Sequence, residues 1–177
     1  MNIIAETNRL IIRTWNPEAD AEQAFYIYSD PEVTRFIKTK VDSVESSQNL
    51  LKRWITKSQE WNNGSGFWAI ILKETEEILG TIILIQLQDE DEQLTPDYEI
   101  GWHLKRAAWG NGYATEAAKA ILDYGFKTLK LPVIYSIASS ENTNSLRVIQ
   151  RLGMIPLGRT TKYYKMELEM FKLVNPT

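Results

Sequence analysis

Tyr98-Glu99-Ile100-Gly101-Trp102-His103-Leu104 runs toward Trp109-Gly110-Asn111-Gly112-Tyr113-Ala114-Thr115, and a long amphipathic stretch follows. The first segment reads as a strand, the second as a glycine-bracketed loop that opens a helix. Such a loop points bare backbone N–H groups at one spot, and the helix dipole adds partial positive charge there. That is a holder for a phosphate, set directly after a strand that carries a carboxylate. Ala114, Ala117, Ala118, Ile121, Leu122, Gly125 and Leu129 recur at the helical period. They predict a helix over 114–129 whose small residues lie close against a sheet.

Working outward, Pro132 stops this helix and Val133 to Ala138 reads as a strand. Asn142 to Leu152 reads as a helix with Ser145, Val148, Ile149 and Leu152 inward, ended by Gly153. Met154 to Thr161 and Glu167 to Leu173 are the last two strands. Upstream, Phe67 to Lys73 and Ile78 to Leu87 form a strand pair around a turn at Glu74 to Glu77. Ile82-Ile83-Leu84-Ile85 is apolar on both faces and marks a central strand. Asp89-Glu90-Asp91-Glu92 reads two ways, as a solvated loop or as an acidic rim that draws in a cationic amine. Arg9 to Trp15 reads as the first strand. Asn16-Pro17 and Asp30-Pro31 each pair a capping side chain with a first-turn proline, opening helices to about Ser29 and to Ile37. Ser43 to Trp61 reads as a third helix with Val44, Leu51, Trp54, Ser58 and Trp61 on one face. The sum is α+β: one sheet of about seven strands, mostly consecutive, with helices on both faces. Three helices separate the first two strands, a place for a substrate-specific wall.

The 177 residues fit a single domain over 1–177, and 44% hydrophobic with 24% charged residues fits a soluble globule. There are no cysteines and one histidine, which excludes disulfides, thiolate zinc sites, a cysteine nucleophile and a polyhistidine metal site. The net charge of −3 argues against nucleic acid as a partner. No apolar stretch is long enough for a bilayer and the start lacks a signal peptide, so a cytoplasmic protein is expected. The loop also fails the three-glycine dinucleotide fingerprint and the Gly-Lys-Ser/Thr phosphate loop.

Trp109-Gly110-Asn111-Gly112-Tyr113-Ala114-Thr115-Glu116 resembles the pyrophosphate loop of GNAT-superfamily acetyltransferases, closest to the RimJ/RimL type that acetylates ribosomal-protein N-termini. Four further segments agree in order: residues 6–13, 29–34, 78–82 and 141–154. The resemblance implies the GNAT (acyl-CoA N-acyltransferase) fold, a mostly antiparallel sheet splayed around a bulged central strand. It implies acetyl-CoA as co-substrate, a primary amine of a peptide N-terminus or a small molecule as acceptor, no metal, and a possible homodimer. The pyrophosphate would rest on residues 110–115, beside Trp109. The pantetheine arm would pair with the backbone of Trp102, His103 and Leu104, with Asn142 bonding its amide. Lys105 or Arg106 would meet the nucleotide phosphates or simply face solvent. Where relatives often carry Gln or Arg, this chain has Trp109. Where many carry a tyrosine as general acid, it has Ile149.

Glu99 is the candidate base for the amine, or an ordinary strand-end glutamate. Ser145 is the candidate acid for the departing thiolate, or a small residue on a packed face. Asn142 is equally a helix N-cap. His103 reads as strand-edge packing, and Tyr163 and Tyr164 line the acceptor cleft or the core. An acyl-CoA sensing domain without catalysis, or a module for ATP or NAD, would share the loop. Turnover and the ligand that stabilises the fold separate the three readings.

Overall fold

The computed structural model describes residues 1–177. One eight-stranded sheet runs in the order β1 (Ile3–Glu6), β2 (Leu10–Thr14), β3 (Gly66–Leu72), β4 (Ile78–Gln88), β5 (Leu94–Leu104), β6 (Val133–Ala138), β8 (Leu168–Val174), β7 (Ile155–Thr160). Every neighbouring pair is antiparallel except β5 with β6. One face buries Ile12, Ile70, Ile82, Leu84 and Ile100 beneath α4 (Tyr113–Lys127) and α5 (Thr143–Arg151). The other buries Ala69, Ile71 and Ile78 beneath α1 (Pro17–Tyr28) and α3 (Val44–Trp61), where Tyr28, Leu51 and Trp54 pack. β4 lies fourth in the sheet and is covered on both sides, which is why Ile82 to Ile85 show no polar alternation. At Gly125 a Cβ would stand 2.6 Å from Ile134 Cδ1, so glycine sets how closely α4 approaches the sheet.

The structure corrects several expectations. There are eight strands, because Ile3–Glu6 adds a strand ahead of the one expected at Arg9 to Trp15; the turn between them holds Thr7, whose hydroxyl accepts from Leu10 N at 2.9 Å. α2 (Pro31–Thr34) stops short of Ile37, and α4 ends at Lys127 rather than Leu129. On α3, Val44 is exposed and Ser47 takes a place in the buried face, its hydroxyl donating back to Ser43 O. β5 begins at Leu94 rather than Asp97. From Leu94 to Tyr98 it takes four residues to cover what β4 covers between Gln88 and Gln86. The irregularity therefore precedes the carboxylate, and regular pairing runs from Tyr98 to Leu104. Glu99, Gly101 and His103 keep one face, as strict alternation requires.

Candidate active site

The site grows from a parting of strands. β5 and β6 pair at Glu99–Tyr135, and the Ser136 hydroxyl donates to Ile100 O at 3.1 Å. Beyond that point Trp102, His103 and Leu104 have β4 on one side and no strand on the other. A cavity of about 280 Å³ opens there. It is lined by Trp102, His103, Leu104, Trp109, Gly110, Gly112, Tyr113, Ala114, Thr115, Asn142 and Ser145, which the sequence had singled out. Glu32, Val33 and Arg35 to Ile37, in the long insertion between β2 and β3 where a wall was expected, close its far side.

Gly110 and Gly112 sit at φ +76° and +77°, a region that side chains disfavour. Gly112 is the N-cap of α4 and has no side chain to cap with. As a result, none of the backbone N–H groups from Gly110 to Thr115 has an acceptor within the protein. The Thr115 hydroxyl is buried and also unpartnered. Unmet donors on a helix N-terminus fit a diphosphate. Asn111 plays a different part: its side-chain amide donates to Ala108 O and Trp109 O at 3.1 and 3.0 Å and braces the loop from inside. The Trp109 indole does the same for the strand end, donating to Leu104 O at 2.8 Å.

Arg9 holds the loop from β1–β2. Its Nη1 donates to Asn111 O at 3.0 Å, its Nε to Glu116 Oε2 at 2.7 Å, and its guanidinium lies 4.5 Å from the Tyr113 ring centre. Glu116 also accepts from Thr7 Oγ1 and Arg9 N, and these bonds hold its carboxyl below the usual range against the opposing effect of burial. The only sequence signal was an arginine and a glutamate at the two ends of the pattern. Lys105 pairs with Glu77, and the half-exposed Arg106 forks onto Asp30. The second pair ties α2 to the single 3₁₀ turn at Arg106–Ala108 and so sets the far wall. Arg147 and Arg151 also line the cavity, and neither takes part in an ion pair.

Glu99 stands where the strands part, 8% exposed, and outside the cavity lining. Burial pushes its carboxyl up to about 7, opposed by the hydrogen bond that the Tyr164 hydroxyl donates to Oε2 at 3.0 Å. Its Oε1 has no partner in the protein. His103 lies two steps along the same face and does line the cavity. Its Nδ1 meets the Tyr28 hydroxyl at 3.1 Å, Tyr28 in turn bonds Thr81, and burial lowers the imidazole to about 4. It is therefore neutral at pH 7, and the packing expected of it is joined by a buried polar chain. The Asn142 carbonyl oxygen accepts from Ser145 N at 3.3 Å, so Asn142 is an N-cap. Ser145 lines the cavity, and its hydroxyl has no partner in the protein. Ile149 is 1% exposed and packs in the core under α5. The charged run at 89–92 forms a surface turn in which Asp89 accepts from Asp91 N and Gln93 N. No group of three or more His, Cys, Asp or Glu side chains is arranged to hold a metal ion, and no helix is long and apolar enough to cross a membrane.

Residues 9–155 match the family model described as the acetyltransferase (GNAT) domain. The "uncharacterized N-acetyltransferase p20" of Bacillus licheniformis is 32% identical over 174 residues, 95% of this chain and 94% of that protein. The crystal structure of a GNAT-family acetyltransferase from Bacillus anthracis superposes with a TM-score of 0.79 at 28% identity over the whole of both chains. RimL, the ribosomal L7/L12 alpha-N-protein acetyltransferase solved with coenzyme A, superposes with a TM-score of 0.78 over 98% of each chain. Its identity is 15%, so that likeness speaks for the fold alone.

Proposed function

This chain belongs to the acetyltransferase (GNAT) family, and on that premise we propose that it moves the acetyl group of acetyl-CoA onto a primary amine. The observation that carries the reading is the row of unmet N–H donors from Gly110 to Thr115, with the orphan Thr115 hydroxyl, at one end of a cavity that continues along the unpaired edge of β5. In this reading the donor groups at 110–115 hold the diphosphate, with Arg35, Arg147 and Arg151 as cations of the lining outside any ion pair, and the backbone of Trp102 to Leu104 holds the pantetheine arm. Acetyl-CoA supplies a thioester that an amine attacks directly, the C–S bond breaking as the C–N bond forms.

Glu99 takes the proton from the amine, directly or through one water. Its elevated pKa suits that task, because a base poised near neutrality is ionised at working pH and still accepts a proton readily. An α-amine with pKa ~8 needs only about 1 kcal/mol to lose its proton at pH 7, and a side-chain amine needs ~5 kcal/mol. The demand on Glu99 is thus modest for a protein N-terminus, the acceptor of the RimJ/RimL kind. We read the chain as one cytoplasmic domain acting on such an N-terminus or on a small-molecule amine. Ser145 hands a proton to the departing sulfur, a role left open by Ile149, whose place is taken up by packing.

The test is thiol release from acetyl-CoA with a panel of peptides bearing free N-termini and of small amines. Turnover that depends on the acceptor supports the reading. Failure on the whole panel, or a fold stabilised by ATP or NAD and not by CoA, refutes it.

A further inference from the structure

The turn between β7 and β8 carries two adjacent tyrosines, and each reaches a carboxylate on β5. The Tyr163 hydroxyl donates to Asp97 Oδ2 at 3.0 Å and the Tyr164 hydroxyl to Glu99 Oε2 at 3.0 Å. Tyr163 is buried and anchors the turn. Tyr164 and Lys165 then adopt φ of +56° and +55°, left-handed backbone that residues with a β-carbon disfavour. The chain adopts a strained turn while it delivers one hydroxyl to one carboxylate oxygen. The other oxygen, Oε1, lies 3.8 Å from where a Cβ of Gly101 would stand, over bare backbone on the face that Glu99 shares with His103.

We propose that Tyr164 is a positioning residue for the acetyl-transfer reaction: it pins Glu99 through Oε2 so that Oε1, above Gly101, is the oxygen that meets the amine or its relaying water. The inference rests on the reading of Glu99 as base. A hydroxyl donated to a carboxylate favours the charged form, so Tyr164 also opposes the burial that would neutralise Glu99. The neighbouring groups leave this task to Tyr164 alone. Ile85 faces Glu99 from β4, and Tyr135 stands opposite on β6. Asp97, two residues back, is engaged by Tyr163 and by Lys162 at 3.6 Å. His103 is bound to Tyr28. None of these donates to Glu99.

The test is Tyr164→Phe, read as the pH profile of kcat/KM with an acceptor whose amine titrates well below pH 6. With such an acceptor, the rise on the acid side reports the base. The variant should shift this rise upward by about one pH unit, with the KM for acetyl-CoA and the circular dichroism spectrum unchanged. Tyr163→Phe, which removes the matching bond to Asp97, should leave the rise where it is. An unmoved rise in Tyr164→Phe, or an equal movement in Tyr163→Phe, overturns the proposal. Glu99→Gln separates the two levels. If the rise survives in Glu99→Gln, the base reading falls and this inference with it. If it vanishes there and stays put in Tyr164→Phe, this inference alone falls.

Discussion

Glu99→Gln should cost activity and add stability, and the added stability should depend on pH. The ordinary value for this carboxyl is 4.5, and burial raises it to about 7 in the folded chain. Between those values the folded protein binds more protons than the unfolded chain, so the contribution of Glu99 to stability is fully present below 4.5 and is lost as pH rises through 7. The gap amounts to about 3 kcal/mol, the unfavourable work of holding a carboxylate where a neutral acid is preferred. Glutamine is neutral at every pH and still accepts the Tyr164 hydroxyl through its amide oxygen. At pH 4 the variant should therefore match the wild type. At pH 8 it should be more stable by up to ~3 kcal/mol. Urea unfolding of both proteins at pH 4, 6 and 8 measures this, and taking the difference removes every other titrating group, since these are common to both. On the same variant kcat/KM should fall by ~10²- to 10⁴-fold, the range expected for loss of a general base. A stability difference that is flat from pH 4 to 8 would refute the reasoning, because Glu99 would then be an ordinary carboxylate.

Arg9→Met removes the brace on the Gly110–Thr115 loop. Arg9 is 41% exposed, so the loss of stability should be only ~1 kcal/mol, while the Kd for CoA by calorimetry should rise ~10-fold through the loosened loop. An unchanged Kd would make the brace structural only. Thr115→Val removes a buried hydroxyl with no partner in the protein; the melting temperature should hold or rise, and CoA affinity should drop by ~1 kcal/mol. Equal CoA binding in this variant would show that the hydroxyl points at nothing. Gly80→Ala drives a β-carbon into the His103 carbonyl and to 2.8 Å from Leu104 Cα. It should destabilise by ~3 kcal/mol in urea unfolding and weaken the donor edge of β5; a neutral effect would contradict the close approach of β4 and β5.

Much of the fold and of the candidate site was legible because it is local. The Gly110–Thr115 turn, the α4 stripe, the Asn16 and Asp30 caps and the β4 run are each written within a few neighbouring residues, where backbone sterics and periodicity act. The strand Ile3–Glu6 was missed because it is four residues long and is defined by its pairing with β2. The displaced irregularity in β5 was missed because it depends on registry with β4. Arg9 with Glu116, Arg106 with Asp30, and Tyr164 with Glu99 join residues 107, 76 and 65 positions apart, and no spacing rule reaches that far.

Sequence by itself determined the alternation of strands and helices, the glycine-bracketed turn that opens α4 and the presence of a carboxylate on the strand before it. These follow from steric preference and from the period of apolar residues, which each short stretch carries with it. Tertiary structure alone decided the state of that carboxylate. Its elevated pKa comes from burial within the folded sheet, its orientation from a tyrosine on a distant turn, and the cavity from two strands that pair at one point and then part. Burial and the meeting of remote groups exist only once the chain has closed on itself.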